Sequence, residues 1–222
     1  VLALVLVSRA SWWLENVLSI AAVVLLAATY RRIPLSRISY GCIFAFLALH
    51  EVGAHYTYSE VPYDAAWRAL FGFSLQDSLG WERNHFDRGV HFAYGLLVAY
   101  PIREVYVRIV AVRGVWSYVL PLGFTMSTSM LYELIEWGAA ELFGGELGMA
   151  YLGTQGDVWD AHKDMALASL GALLVMAATL AVNLTLQRDF AREWAESLRV
   201  KDPTPLGEVA LARMLERRET TH

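Results

Sequence analysis

From Asp160 to Leu186 the chain reads DAHKDMALASLGALLVMAATLAVNLTL, a long apolar run that opens with charged residues. A helix that spans a bilayer needs about 20 mostly apolar residues, so this stretch is long enough to cross a membrane. Ionisable groups are costly in hydrocarbon, and Asp160 and Asp164 therefore indicate a polar site at one end of this helix.

The composition of the chain is that of a membrane protein. Its 222 residues are 56% hydrophobic and 18% charged, and the mean hydropathy is +0.38, which is too apolar for an ordinary soluble domain. The net charge of −4 argues against nucleic acid as a partner. Cys42 is the single cysteine, so any metal would be held by nitrogen and oxygen ligands.

Charged residues, prolines and glycines divide the chain into several candidate spans. They are Val1–Val7 (partial, interpreted as the end of a truncated span), Trp12–Tyr30, Ile38–Gly53, Phe86–Val112, Val115–Ala140 and Asp160–Leu186. We therefore predict an all-α, polytopic helical membrane protein with about five to six transmembrane helices. Residues 1–187 are predicted to form the transmembrane domain, and residues 188–222 a soluble, cytoplasmic, helical tail.

The arginines predict the orientation of these spans. Arg31, Arg32 and Arg37 separate the second and third spans, Arg103, Arg108 and Arg113 surround the fourth-to-fifth connection, and Arg188, Arg192, Arg199 and Lys201 follow the sixth. Cytoplasmic loops carry an excess of such residues, so we expect these segments in the cytoplasm. The acid and histidine clusters then face the periplasm together.

The acids and histidines recur at helical spacings. Residues three or four apart share one face of a helix, as do Glu51 and His55, Asp87 and His91, Glu133 and Glu136, and the series Asp157, Asp160 and Asp164. Carboxylate with imidazole suits zinc, manganese or iron, whereas oxygen ligands alone suit calcium or magnesium. The spacing does not distinguish these metals.

We predict a divalent metal site formed by residues from several spans. The candidate ligands are His55, His91, Glu133, Glu136, Asp157, Asp160 and Asp164, and the candidate catalytic residues are Glu133, Asp157 and Arg88. These side chains are expected to converge within about one helix diameter, roughly 10–12 Å. Arg88 is interpreted as the one intramembrane arginine near these acids, with Lys163 and two histidines as the other nearby basic residues. A divalent cation would therefore relieve the repulsion among them.

Structural explanations for the same residues remain open. Glu133 and Glu136 could pair with Arg88 inside the bundle. Asp157 or Asp160 could act as a helix N-terminal acid that caps free amides. His50 and His162 are interpreted as hydrogen-bonded structural residues. The chain has no P-loop, no Gly-x-Ser-x-Gly turn and no His-Glu-x-x-His motif.

Four ordered blocks of sequence resemble a known family. They are Gly53–Pro62 (GAHYTYSEVP), Arg83–Arg88 (RNHFDR) with His91, Tyr132–Trp137 (YELIEW), and Leu152–Asp160 (LGTQGDVWD) with Asp164. Together they resemble the YjdF-type bacterial inner-membrane family, whose function is uncharacterised. The resemblance covers about Trp12 to Leu186 and implies a small, multi-pass protein of the bacterial inner (cytoplasmic) membrane.

Different functions are compatible with these observations. The first is a metal-dependent enzyme with a periplasmic pocket that acts on a lipid-like substrate, with Arg88 neutralising an anionic group. The second is a non-catalytic accessory or scaffold subunit of a larger membrane complex, in which the polar cluster is structural. The third is a carrier, because intramembrane acids also line ion paths. The expected partners are membrane lipids and other membrane protein subunits.

Overall fold

The structure is a computed structural model, and it describes residues 9–145, 148, 152–186, 190–201 and 206–219. These residues form helices joined by turns and coil, and no strand occurs among them. The helices are α1 (Arg9–Thr29), α2 (Arg37–His55), α3 (Tyr63–Phe71), α4 (Leu75–Leu79), α5 (Phe86–Arg108), α6 (Trp116–Phe143), α7 (Asp160–Leu186), α8 (Phe190–Ser197) and α9 (Leu206–Glu219). The predicted all-α fold is confirmed for this part of the chain.

The long helices α1, α2, α5, α6 and α7 correspond to the predicted spans. They contain 19 to 28 residues, which at 1.5 Å per residue gives lengths of roughly 28 to 42 Å. Two helices, Trp12–Thr29 within α1 and Asp160–Leu186, are both long and apolar enough to cross a membrane. The predicted segment Val1–Val7 lies outside the described residues.

The exposed side chains of the bundle are mostly large and apolar, whereas the buried side chains are mostly small or polar. Leu25, Phe44 and Leu142 on the long helices are 64%, 73% and 85% exposed. The largest fully buried side chains are instead those of Asn16, Thr125, Asp164, Pro121, Ser39 and Ser129. Helices packed in lipid show this pattern, because small residues let their backbones approach closely while apolar side chains face the hydrocarbon.

Buried residues recur at every fourth position along the central helices. These series are His91, Gly95 and Ala99 in α5, Ser117, Pro121, Thr125 and Ser129 in α6, and Asp160, Asp164, Ala168, Ala172 and Met176 in α7. Residues with this spacing form one ridge along a helix. In α5 and α7 the ridge is polar at the N-terminal end and apolar further along, so the same contact that joins the helices also aligns their polar residues.

Glycines set the distance between α5 and α7. A Cβ added to Gly95 would lie 2.7 Å from the Ala172 amide nitrogen, and one added to Gly171 would lie 2.7 Å from the Leu96 amide nitrogen. Both distances are shorter than real Cβ contacts. The two helices therefore touch through their backbones, and their N-terminal polar residues are held in a fixed relation.

The arginine-rich connections meet at the opposite end of the bundle. Glu104 near the end of α5 accepts hydrogen bonds from the Ser36 amide at 2.8 Å and from Arg108 at 2.6 Å. Arg108 also donates to the Pro34 carbonyl oxygen at 2.5 Å. These bonds bring the α1–α2 loop to the end of α5.

Helix α8 packs against the bundle at this arginine-rich end. Glu193 accepts a hydrogen bond from the Gly114 amide at 3.0 Å, and the Ser197 hydroxyl accepts one from the Val115 amide at 3.1 Å. Phe190 is buried with Tyr118 in the apolar core. The first helix of the predicted tail is thus part of the packed structure, while the domain boundary at residues 187 and 188 stays a prediction, since residues 187–189 lie outside the described ranges.

Candidate functional site

The polar residues gather at the end of the bundle where α5 and α7 begin and α6 ends. A cavity of about 360 Å³ opens there between α6 and α7. Its polar lining consists of Asp87, Glu133, Glu136, Thr154, Asp160, His162 and Asp164. The structure thus brings together side chains from three helices that are far apart in sequence.

One group of charges, the salt-bridge cluster, consists of Arg83, Arg88, Asp157, Asp160 and Lys163. Arg83 pairs with Asp160, and its Nη1 lies 3.6 Å from Asp157 Oδ2. Arg88 pairs with Asp157, and its Nη2 lies 3.4 Å from Asp160 Oδ1. Lys163 Nζ is 2.6 Å from Asp157 Oδ2. Three cations therefore share two carboxylates in this cluster, which leaves one positive charge in excess.

Asp157 lies just before α7, where local contacts favour its charged form. The Lys163 ammonium and the Trp159 amide, which donates to Asp157 Oδ1 at 3.0 Å, hold the pKa of this carboxyl well below its usual range. The Trp159 amide precedes the first residue of α7, so Asp157 closes a turn just before the helix, and Asp160 is the acid in the first turn of α7.

His85 connects the salt-bridge cluster to the start of α5. Burial lowers the pKa of its imidazole, so the neutral ring accepts a hydrogen bond from Arg88 Nη1 at 3.0 Å. His85 Nδ1 lies 2.9 Å from the Arg83 carbonyl oxygen. These bonds fix the guanidinium of Arg88 in place.

A second group, the acid cluster, lies deeper in the bundle and consists of Glu15, Asp87, His91, Glu133, Glu136 and Asp164. Asp87, His91 and Asp164 offer ligand atoms that all lie within 4.8 Å of one another. His91 Nε2 is 3.6 Å from Asp87 Oδ1 and 3.5 Å from Glu133 Oε1. Four side chains from α5, α6 and α7 thus point at one small volume.

Glu15 of α1 joins this cluster through Tyr132. The Tyr132 hydroxyl donates to Glu15 Oε2 at 3.3 Å and also contacts Glu136. Glu15 is only 5% exposed. The site therefore includes a carboxyl from the first described helix, which the sequence did not predict.

The acid cluster has carboxylate oxygens without partners. Glu133 Oε1 and Asp164 Oδ1 are buried and have no hydrogen-bond donor in the described part of the chain. In the described residues, moreover, no lysine or arginine forms an ion pair with Glu15, Asp87, Glu133, Glu136 or Asp164. Buried carboxylates are normally satisfied by donors or cations. This cluster therefore fits a bound cation chemically.

The structure divides the predicted metal ligands between the two clusters and leaves one of them outside both. His91, Glu133, Glu136 and Asp164 belong to the acid cluster, whereas Asp157 and Asp160 belong mainly to the salt-bridge cluster. His55 is buried, packs its ring on Tyr56 at a centroid distance of 4.5 Å, and is not part of the cavity lining.

The suggested pairing of Glu133 and Glu136 with Arg88 does not occur, because Asp157 and Asp160 occupy that guanidinium. The interpretation of Arg88 as the one nearby arginine was wrong, since Arg83 pairs with Asp160. Asp87, which the sequence analysis placed on one face with His91 without naming it a ligand, belongs to the closest group.

The two histidines interpreted as structural have different surroundings. His50 is buried and hydrogen-bonded to the Tyr58 hydroxyl. Gly53 allows this contact, because a Cβ there would lie 2.6 Å from Tyr58 Cζ. His162 instead lines the cavity and packs on Trp159.

These features define a helical integral membrane protein: large apolar side chains cover the exterior, small and polar side chains fill the interior, and long helices enclose a polar site. The chain belongs to the family described as "Predicted membrane protein (DUF2238)", whose model matches residues 1–184. It is 42% identical over 166 residues to the inner membrane protein YjdF of Escherichia coli (strain K12), an alignment that covers 74% of this chain and 75% of that protein.

No solved structure matches the chain. The family resemblance seen in the four sequence blocks is confirmed. The predicted inner-membrane location is confirmed as well, whereas the number of helices that cross the membrane stays a prediction.

Proposed function

We propose that this protein is a metal-dependent enzyme of the inner membrane whose acid cluster binds a divalent cation beside a cavity for a lipid-like substrate. In this proposal α1, α2, α5, α6 and α7 cross the membrane, and the cavity faces the periplasm. The observation that carries it is the group Asp87, His91 and Asp164, whose ligand atoms lie within 4.8 Å of one another.

The charges of the site support a cation at this position. The cations of the salt-bridge cluster form their ion pairs with Asp157 and Asp160, and His91 is the basic side chain within 4 Å of the remaining acids. Carboxylates packed this closely repel one another unless protons or a cation neutralise them. A divalent ion would also satisfy the free oxygens of Glu133 and Asp164.

The ligand types narrow the choice of metal. One imidazole nitrogen with two or three carboxylate oxygens suits zinc, manganese or iron better than calcium, which prefers oxygen ligands alone. Bound there, such a metal would polarise a phosphoryl or acyl oxygen or activate water.

The shape of the cavity supports an amphiphilic substrate. Its volume of about 360 Å³ lies in the range of about 300–1,000 Å³ that is usual for small-molecule sites. Met130, Leu134 and Trp137 of α6 line it and are 49%, 51% and 59% exposed on the outside of the bundle. A molecule could thus enter sideways from the lipid, with its polar group toward the acids and its apolar part against α6.

The candidate catalytic residues have distinct roles in this proposal. Glu133, with its free Oε1 beside His91, is suited to position or deprotonate a water molecule. Arg88 and Asp157 are bound to each other. They act as positioning residues that orient Asp160 at the cavity wall.

Metal analysis of the purified full-length protein in detergent tests the proposal. We expect about one divalent ion per chain and a lower melting temperature after treatment with chelator. Asp164→Asn keeps the shape of the side chain and should lower metal affinity at least about tenfold. Asp77→Asn, which removes an aspartate that is 79% exposed in the α4 region, is the matched control and should retain the metal.

Negligible metal in the unaltered protein, or equal metal retention in both variants, would end the metal proposal. In that case the second candidate function, a non-catalytic accessory subunit, takes its place. It is favoured by the salt-bridge cluster, in which each charged side chain has an ion-pair partner within the chain, as in a structural network. That function predicts that the protein copurifies with other membrane proteins from mild detergent.

A further inference from the structure

A second cavity lies at the arginine-rich end of the bundle, away from the acid cluster. It measures about 530 Å³ and is enclosed by the α5–α6 loop, the start of α6 and the residues at and after the end of α8. Neither the metal proposal nor the proposed substrate cavity uses it.

The cations of this cavity are not neutralised. Arg113, Arg199 and Lys201 line it and are exposed, and in the described part of the chain none of them forms an ion pair or a side-chain hydrogen bond. The acids in the same lining are engaged, since Glu193 binds the Gly114 amide at 3.0 Å and Glu196 binds Arg192 at 3.0 Å. The lining therefore carries three cations against two carboxylates, and its cations are the groups left without an ion-pair partner among the described residues.

The rim of the cavity is apolar. Val110 is 59% exposed, Trp116 45% and Leu120 37%. The Trp116 ring nitrogen is satisfied by the Ser197 carbonyl oxygen at 2.9 Å, so the ring itself is free to contact lipid. Tryptophans that place their polar ring nitrogen toward water and the rest of the ring against apolar groups are typical of the membrane–water interface.

The cavity is formed before any ligand arrives, because α8 is fixed against α6. Gly114 adopts φ +58°, and a Cβ there would lie 2.6 Å from Ser197 Cβ and 2.8 Å from the Glu193 carbonyl oxygen. The glycine thus permits the close contact that forms one wall of the cavity.

We propose that this cavity binds the phosphate-bearing headgroup of an anionic phospholipid. Unpaired arginine and lysine side chains are suited to a phosphate group, and basic pockets beside membrane-spanning helices are suited to anionic lipid headgroups. The apolar rim favours a lipid over a free anion, since acyl chains can lie against Val110 and Leu120 while the phosphate contacts the cations. The inference rests on the membrane location of the chain and not on the metal site.

Lipid titration of the purified full-length protein in detergent tests this inference. The probes are phosphatidylglycerol, zwitterionic phosphatidylcholine and inorganic phosphate, with bound lipid counted by native mass spectrometry. We expect phosphatidylglycerol to bind more tightly than phosphatidylcholine. The triple variant Arg113→Gln, Arg199→Gln and Lys201→Gln should weaken it by about tenfold or more, because each cation near a membrane surface favours anionic lipid.

The matched control is the triple variant Arg31→Gln, Arg32→Gln and Arg37→Gln. It removes the same charge from exposed residues of the α1–α2 loop and the start of α2, outside the cavity lining, and should leave binding within about twofold. Equal losses in both triple variants would show general attraction to basic residues, and unchanged binding in both would show that the cavity is not used. Competition by millimolar inorganic phosphate would point to a soluble anion. Each of these results would overturn the inference.

Discussion

Asp160 and Asp77 each pair with an arginine, but only one of these pairs is buried. The side chains of Asp160 and Arg83 are 5% and 12% exposed, whereas those of Asp77 and Arg68 are 79% and 58% exposed. Breaking a buried pair leaves an uncompensated charge, while an exposed pair is screened by water.

We therefore predict that Asp160→Asn destabilises the protein by about 3 kcal/mol, the low end of the usual cost, because Asp157 remains 3.6 Å from Arg83. Asp77→Asn should cost about 0–1 kcal/mol. Unfolding of both variants in the same detergent measures the difference. Equal losses of stability in the two variants would mean that water solvates the Arg83 guanidinium once Asp160 no longer carries a charge.

Asp64 gives a prediction for the dependence of stability on pH. Its carboxylate accepts hydrogen bonds from the Gln76 amide at 3.0 Å, the Leu75 amide at 2.7 Å and the Ser74 hydroxyl at 2.8 Å. The Gln76 amide and these other donors hold the pKa of Asp64 below its usual range. Asp64 thereby fastens the loop between α3 and α4.

Because this pKa is depressed in the folded state, the stabilisation by Asp64 is fully present above the unfolded pKa of about 3.9. It is lost as the pH falls through the lower, folded pKa. We expect Asp64→Asn to lower the melting temperature at pH 7, and the gap from the unaltered protein to narrow below about pH 4. If the difference in melting temperature between Asp64→Asn and the unaltered protein widened in acid, the assignment of these hydrogen bonds to the charged form of Asp64 would be contradicted.

Single residues also show what the sequence could not predict about the site. Asp87, His91 and Asp164 were recognisable because helical spacing places each near another polar residue on one face. Glu15 is a lone acid in an apolar run, and its contact with Tyr132 depends on how α1 packs. Arg83 precedes α5 by a few residues, and only the packing of the connecting segments shows that it reaches Asp160.

The contact between α5 and α7 is the element-level feature on which the site depends. Gly171 packs against the backbone of Leu96, and overpacking of this kind typically costs about 1–3 kcal/mol. We predict that Gly171→Ala lowers stability by this amount and also weakens metal binding, since α7 carries Asp164. Thermal unfolding and metal content measure the two effects.

Gly123 of α6 offers the matched control. A Cβ added there meets nothing within 4 Å, and alanine favours helix over glycine by roughly 0.5–1 kcal/mol. Gly123→Ala should therefore be neutral or slightly stabilising. A loss of stability equal to that of Gly171→Ala would show that the close contact of α5 and α7 is unimportant.

Most helices could be predicted from the sequence, whereas their mutual packing could not. The predicted span Asp160–Leu186 coincides with α7, because its hydrophobicity is continuous and its boundaries are polar. Helix α8 was assigned to a soluble tail on its charged composition. Its docking depends on Phe190 and Trp194, which reach the core around Tyr118, and a composition average hides such an apolar face.

At the scale of the whole molecule, the charges are separated between the two ends of the bundle. The acid and salt-bridge clusters lie at one end, and the arginine-rich connections joined by Glu104 and Arg108 lie at the other. Positively charged loops are retained in the cytoplasm during insertion. The acid cluster should therefore face the periplasm.

Cysteine accessibility in cells tests this orientation. In a Cys42→Ser background, Glu82→Cys should react with a membrane-impermeant maleimide added from the periplasmic side. Arg32→Cys should react only after the inner membrane is opened. Both residues are exposed, so burial does not bias the comparison. The reverse pattern would place the acid cluster in the cytoplasm.

The docking of α8 on α6 has a consequence for biosynthesis. The Gly114 amide finds its acceptor in Glu193, which is 79 residues later in the chain. At a synthesis rate of about 5–20 residues per second, the ribosome needs roughly 4–16 seconds to produce that acceptor. The Gly114 amide therefore needs another acceptor, such as water, until Glu193 has been made, and α8 can pack against α6 only once the polypeptide beyond α7 has left the ribosome.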